Sequence, residues 1–168
     1  MATLTKKELD ATRRENGVKN MYYTRYFLIR YVVAFFFFIN LYWALMFFFV
    51  GHLSLIIIPL IMVVFGAVCI WEQSRMHSIN QKPAVKTQFY FQSIIAVNIV
   101  LLLAVLFEQY TYFYPFFSER GSTKMFLLVI LCLGILLSSW MLVKLGRINR
   151  KSDKQYYRIQ QYLAAIVK

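Results

Sequence analysis

The fold is decided by residues 31–71, which read YVVAFFFFINLYWALMFFFVGHLSLIIIPLIMVVFGAVCIW. These 41 residues include no Asp, Glu, Lys or Arg. A single α-helix of that length would be about 60 Å long, about twice the thickness of a bilayer's hydrocarbon core. The sequence Gly-His-Leu-Ser at 51–54 interrupts the apolar run and favours a turn. The stretch therefore predicts two transmembrane helices, at residues 31–50 and 55–71.

Residues 87–107 and 125–143 are two further uncharged stretches, and each is long enough for one transmembrane helix. Charged residues make up 15% of the 168-residue chain and hydrophobic residues 60%, whereas about a quarter of a soluble domain is charged. This composition excludes a soluble domain and a disordered chain. The sequence predicts an all-α integral membrane protein with four transmembrane helices in two antiparallel hairpins, at 31–71 and 87–143.

Lys and Arg are unevenly distributed between the flanking segments. Seven lie in segment 1–30, three in loop 72–86, two in loop 108–124 and seven in tail 144–168. Because positive residues beside transmembrane helices favour the cytoplasmic side, both termini are predicted to be cytoplasmic, with 17 of the 19 positive charges inside. The positive residues that give the net charge of +12 are explained by their role in setting the topology and in binding anionic lipid on that side. Nucleic acid is therefore not expected as a partner.

Location follows from the same features. The four spans predict a multi-pass protein of the cell membrane. The abundance of Phe, Tyr, Ile, Lys and Asn suggests an AT-rich bacterial genome, and hence the bacterial cytoplasmic membrane.

Both terminal segments carry helix signals. Thr5 and Glu8 have the spacing of a capping box and predict a short cytoplasmic helix that ends at Gly17. The aromatic residues and Arg25 within 21–27 then predict a belt at the membrane interface.

The tail is predicted to form an amphipathic helix over residues 153–167. Its apolar residues recur at three- and four-residue spacing. They are Tyr156, Ile159, Leu163 and Ile166. This face would lie on anionic lipid of the inner leaflet or dock a cytoplasmic partner.

Three amides lie within the predicted spans. Asn40 and Asn98 fall near the middle of the bilayer, where an amide without a partner is costly. They are expected either to bond between helices or to line a polar path, which Gln92 would extend.

Two features of the spans bear on helix packing. Gly134 and Ser138, followed by Ser139, form a small-residue face that favours close packing within the chain, homodimerisation or partner binding. Pro59 predicts a kink in the second span.

The external loop 108–124 is rich in aromatic residues. These would form an interfacial belt or an exposed binding surface. They are Tyr110, Tyr112, Phe113, Tyr114, Phe116 and Phe117.

Residues that would indicate catalysis are scarce. The two cysteines, Cys69 and Cys132, lie in different spans at depths about 13 Å apart, too far for a disulfide. The two histidines, His52 and His77, are predicted on opposite sides of the membrane, so neither a metal site nor a cofactor is expected. No nucleophile with a matching base is evident either.

The sequence therefore favours a non-enzymatic membrane protein that acts through helix–helix and loop contacts. It would be an accessory or regulatory subunit of a membrane complex, or an immunity-type protein, with a membrane-protein partner or a second copy of itself. The alternative is a small oligomeric transporter or channel whose polar path contains Asn40, Gln92 and Asn98.

Overall fold

The structure, a computed structural model, describes residues 6–75, 83–117 and 121–167. Seven helices account for most of these residues, and no strand occurs among them. The helices are α1 (Lys6–Thr24), α2 (Phe27–Val50), α3 (Ile57–Ser74), α4 (Val85–Leu106), α5 (Tyr110–Phe113), α6 (Gly121–Asn149) and α7 (Lys154–Val167). Four of them, α2, α3, α4 and α6, are long and apolar enough to cross a membrane. The predicted all-helical, four-span class is confirmed.

The span α2 begins four residues earlier than predicted and includes Arg30. Its guanidinium lies 3.5 Å above the ring centroid of Tyr23. It also donates a hydrogen bond of 2.7 Å to the carbonyl oxygen of Gln73 at the end of α3. A charged residue therefore belongs to the helix because a ring and a helix C-terminus both stabilise its charge.

The turn predicted between the first two spans is present. Gly51 adopts a left-handed conformation with φ of 82°, which glycine reaches without a Cβ clash. The amides of Gly51 and His52 both bond to the carbonyl oxygen of Phe47, at 3.1 and 3.2 Å, and close the end of α2.

Pro59 does not kink the second span. It is the third residue of α3, in the first turn, where a backbone N–H would have no partner within the helix. The predicted kink is wrong because the helix begins two residues before the proline.

The long helices pack in the order α2, α3, α4, α6, each against the next. One core cluster joins all four and includes Ile29, Met62, Tyr90 and Met141. A second cluster, between α4 and α6, contains Leu101, Val105, Leu127 and Leu131. Among the described residues α2 and α6 have no comparable packing, so the bundle is open along one side.

The helix α1 does not end at Gly17 but continues to Thr24, which corrects the prediction. Val18 and Tyr22, beyond the glycine, pack against Ile159 of α7. This contact stabilises the helical conformation of residues 18–24, which would lie outside the helix if it ended at Gly17. Thr5, the expected cap, lies outside the described residues.

Arg25 is buried rather than placed in an interfacial belt. It is 4% exposed, and its Nε donates a hydrogen bond of 3.1 Å to Oδ2 of Asp153. Its Nη2 bonds to Asp153 Oδ1 and to the carbonyl oxygen of Ile148, the latter at 3.2 Å. The guanidinium carbon also lies 5.3 Å from the ring centroid of Tyr156. Arg25 thus joins the start of α2 to the junction between α6 and α7.

Glu72, at the end of α3, caps the start of α4. Its carboxylate accepts hydrogen bonds from the backbone amides of Lys86 (3.2 Å) and Thr87 (2.9 Å) and from the Thr87 hydroxyl (2.8 Å). A negative charge at a helix N-terminus also interacts favourably with the helix dipole. The cap holds two neighbouring spans in register.

Replacing Glu72 with alanine should lower the free energy of unfolding by about 1 kcal/mol, because two amides of α4 lose their acceptor. Glu72→Gln retains one acceptor oxygen and should cost less. The measurement is unfolding in mixed detergent micelles. Equal stability of the alanine variant and the parent would contradict the assigned cap.

Candidate binding cleft between α2 and α6

A cavity of about 990 Å³ lies on the open side of the bundle, and we call it the α2–α6 cleft. Its walls are α2 and α6, and its floor is formed by α4 together with Met62 of α3. The lining residues from α2 are Phe35, Phe36, Ile39, Asn40, Tyr42, Trp43 and Met46; α4 contributes Ile94, Val97, Asn98 and Leu101; α6 contributes Phe126, Leu127, Ile130, Leu131, Leu133, Gly134 and Leu137. Tyr114, Phe116 and Phe117 complete the lining. Its polar groups are two amides, two tyrosine hydroxyls and the indole N–H of Trp43, and the rest is hydrocarbon, thioether or aromatic ring.

The rim of the cleft faces outward from the bundle. On α2 it consists of Phe35, Ile39 and Tyr42, and on α6 of Phe126, Ile130 and Leu133. All six are exposed, with Ile130 at 44%. Because α2 and α6 are both suited to crossing a membrane, an opening between them would face hydrocarbon rather than water.

Asn40 and Asn98 both line this cleft. Asn40 is 8% exposed, and its Nδ2 donates a hydrogen bond of 2.8 Å to the carbonyl oxygen of Phe36 in its own helix. No group in the described part of the chain donates to Asn40 Oδ1, and the amide of Asn98 has no hydrogen-bond partner there. Within the described ranges, neither amide therefore bonds to another helix.

Gln92, the third amide, lies elsewhere. Its side chain is exposed on α4 and does not line the cleft. Asn98 is six residues further along, which is not a helical repeat, so the two amides face different directions. The predicted extension of the polar lining to Gln92 therefore does not match the structure.

The aromatic loop covers one end of the cleft. Tyr114 stacks on Trp43 with ring centroids 5.7 Å apart, and Phe116 contacts Phe47 edge-on at 6.3 Å. The indole Nε1 of Trp43 donates a hydrogen bond of 3.4 Å to the carbonyl oxygen of Phe113. Burial raises the pKa of the Tyr114 phenol above its ordinary value.

The remaining loop residues divide between packing and exposure. Phe117 contacts Phe126 of α6 at 6.2 Å, and Tyr110 packs on the core between α4 and α6. Tyr112, at 58% exposed, is the ring most open to the surroundings. The loop is thus largely folded onto α2 and α6 and not displayed as a free surface.

The small-residue face of α6 packs within the chain. A Cβ on Gly134 would come 2.9 Å from Asn98 Nδ2, so the glycine makes room for that amide. Ser138 is fully buried, and Ser139 is partly buried. Sequence reasoning identified this face and both asparagines, but it did not place Gly134 beside Asn98.

The tail residues also contact this chain. Ile159 is 1% exposed against Val18 and Tyr22, and Leu163 packs beside it. Two of the four residues predicted to meet lipid or a partner therefore pack against α1 instead, and a third, Tyr156, lies beside Arg25. The side chain of Ile166 lies outside the described residues.

Comparisons with protein-family models, curated proteins and solved structures find no match for this chain. The class of this protein is therefore defined by its fold and by the cleft. It is an all-helical protein with four helices suited to crossing a membrane and a lateral apolar cleft.

Proposed function

We propose that this chain is a non-enzymatic membrane protein that holds a transmembrane helix of another membrane protein in the α2–α6 cleft. It would act as an accessory or regulatory subunit of a membrane complex, or as an immunity-type protein. The observation that carries the proposal is an apolar cleft of about 990 Å³ that opens sideways between two spans.

The size and lining of the cleft support a helical occupant. The lining extends from Phe35 to Met46 along α2 and from Phe126 to Leu137 along α6, about 17 Å in each case, or about three turns of a helix. Aromatic and methionine side chains are enriched where proteins meet. Trp43 and Met46 provide such side chains in the lining.

Site-specific photo-crosslinking in the native membrane tests this proposal. A benzophenone amino acid at Ile130, on the rim, should yield one protein adduct of defined mass. The matched control is Ile99, which is equally exposed at 44% but lies on α4 outside the cleft. Equal adducts from both positions, or lipid adducts alone from residue 130, would refute a helix-binding cleft.

A small oligomeric transporter or channel is the second candidate. It is favoured by the two asparagines that line one cavity, and a path through Gln92 would need a second copy of the chain. Flux of a solute through proteoliposomes containing only this protein, reduced in an Asn98→Leu variant, would support it. Absence of flux for ions and small neutral solutes would count against it.

We also propose a cell-membrane location, most simply the bacterial cytoplasmic membrane, with the hairpins antiparallel and both termini cytoplasmic. The contact between α1 and α7 supports placing the termini on one side. Exposed basic residues there would meet anionic lipid. They include Arg13, Arg14, Lys154 and Arg158.

Reporter fusions test the orientation. A fluorescent protein that matures only in the cytoplasm should be active after residue 168, and alkaline phosphatase should be active when inserted after Tyr112. The reverse pattern would contradict the orientation.

A further inference from the structure

We infer that the helix bound in the α2–α6 cleft carries an amide or hydroxyl side chain near its midpoint, which bonds to Asn40 and Asn98. This inference rests on the proposed function and specifies the chemistry of the partner. Two buried or half-buried amides with unused hydrogen-bonding atoms face the same apolar cleft.

The two asparagines lie at matching depth. Asn40 is 13 residues after the first residue of α2, and Asn98 is 13 residues after the first residue of α4. Both helices start at the same end of the bundle, where Arg30 bonds to Gln73 and Gln73 bonds to Thr87. Each amide is therefore about 20 Å along its helix, within the hydrocarbon region.

Unused amide atoms at that depth favour a polar occupant. Asn40 Oδ1 accepts hydrogen bonds only, whereas the Asn98 amide both donates and accepts. Hydrocarbon provides neither function, so each group stays unsatisfied while an acyl chain fills the cleft. The ester and phosphate groups of a lipid lie near the interface, away from these amides.

A second copy of this chain fits less well. At this depth the exposed residues of α3 and α4, such as Ile61 and Ile99, are hydrocarbon. On α2 the exposed polar group is the hydroxyl of Tyr42, but this residue forms the rim of the cleft, so a copy that donated from Tyr42 would use the rim of its own cleft. On α6 the only exposed polar atom near Gly134 in the described range is the Cys132 thiol, a weak donor. Gln92 is exposed but lies about 9 Å away along the helix axis. A different membrane protein is therefore the occupant we infer.

Model peptides test the inference with the full-length protein in mild detergent. Three transmembrane peptides of about 20 leucine and alanine residues with lysine ends would be compared. One has Asn at its midpoint, one has Leu there, and one has Asn moved about six residues toward an end. Binding is followed by the fluorescence of Trp43, which lines the cleft, after Trp71→Phe and Trp140→Phe remove the other indoles.

The peptide with central Asn should bind about 3- to 20-fold more tightly than the other two, the range for one interhelical hydrogen bond in a membrane. This preference should disappear in Asn98→Leu and in Asn40→Leu. Gln92→Leu is the matched control and should retain it, because that amide lies outside the cleft. Gly134→Ala keeps both amides but pushes against Asn98, and it should weaken the preference.

The outcomes separate this inference from the proposed function. Equal binding of all three peptides to the unsubstituted cleft would overturn the inferred hydrogen bonds while leaving a helix-binding cleft. If none of the three peptides binds to the unsubstituted protein, both proposals are overturned. Because the depth-shifted peptide is tested on protein with intact asparagines, this test does not depend on whether Asn40 or Asn98 variants fold.

Discussion

Arg25→Ala is expected to lower the free energy of unfolding by about 3–5 kcal/mol, the cost of breaking a buried ion pair by removing one partner. The change leaves Asp153 with a carboxylate that is largely buried and has lost its ion partner. It also removes the hydrogen bond to the carbonyl oxygen of Ile148 and the contact with Tyr156. Unfolding by SDS titration in mixed micelles measures the loss.

Asp153 provides the matched control for the ion pair. It also caps α7, because its Oδ2 accepts a hydrogen bond of 3.2 Å from the amide of Tyr156. Asp153→Asn removes the charge but keeps a good capping residue, whereas Asp153→Ala removes both. We expect the alanine variant to be less stable by about 1 kcal/mol than the asparagine variant. Wild-type stability in Arg25→Ala would show that this pair does not join α2 to the tail.

Trp43→Ala is expected to lower the free energy of unfolding by about 3 kcal/mol. The indole contacts the rings of Phe47 and Tyr114 and bonds to the Phe113 carbonyl, each contact contributing about 1 kcal/mol. Its loss should release the aromatic loop, which faster proteolysis within residues 108–117 would reveal. Proteolysis at the parent rate would contradict the role assigned to this indole.

Trp43→Phe separates the two kinds of contact. A phenyl ring keeps the contacts with Phe47 and Tyr114 but has no N–H. We expect a loss of about 1 kcal/mol for this variant, with the loop still protected from protease. A phenylalanine variant as unstable as the alanine variant would indicate that the hydrogen bond dominates.

The four spans could be predicted because a membrane imposes a simple rule on sequence. A helix must be long and apolar to satisfy its backbone in hydrocarbon, and residues 31–71 meet that rule twice. The end of α2 at Gly51 was predictable for the same kind of local reason, since a left-handed turn favours glycine.

Contacts between segments that are far apart in the sequence produce no pattern within either segment, so they could not be predicted. Arg25 and Asp153 are 128 residues apart, and a lone Arg before an apolar run is typical of an interface anchor. Gly17 would end many helices, but the packing of Val18 and Tyr22 on α7 prevails over that preference. Both errors concern the region where α1 meets α7.

The candidate site was predicted in part. Asn40, Asn98 and Gly134 were singled out individually, because amides and glycine are informative in apolar spans. That these residues share one cleft depends on how the helices pack, and so does the exclusion of Gln92. When a helix is apolar on all sides, the spacing of its apolar residues does not show which face packs against neighbouring helices.

The central claim is that the α2–α6 cleft holds a helix of another membrane protein. Native mass spectrometry of the chain, extracted in mild detergent from its own membrane, tests it most directly. We predict the 20.0 kDa chain bound to one other protein, with the complex lost in Ile130→Trp, which fills the rim, and kept in the control Ile99→Trp. A 20.0 kDa species alone, with lipid or as two copies, would contradict the claim.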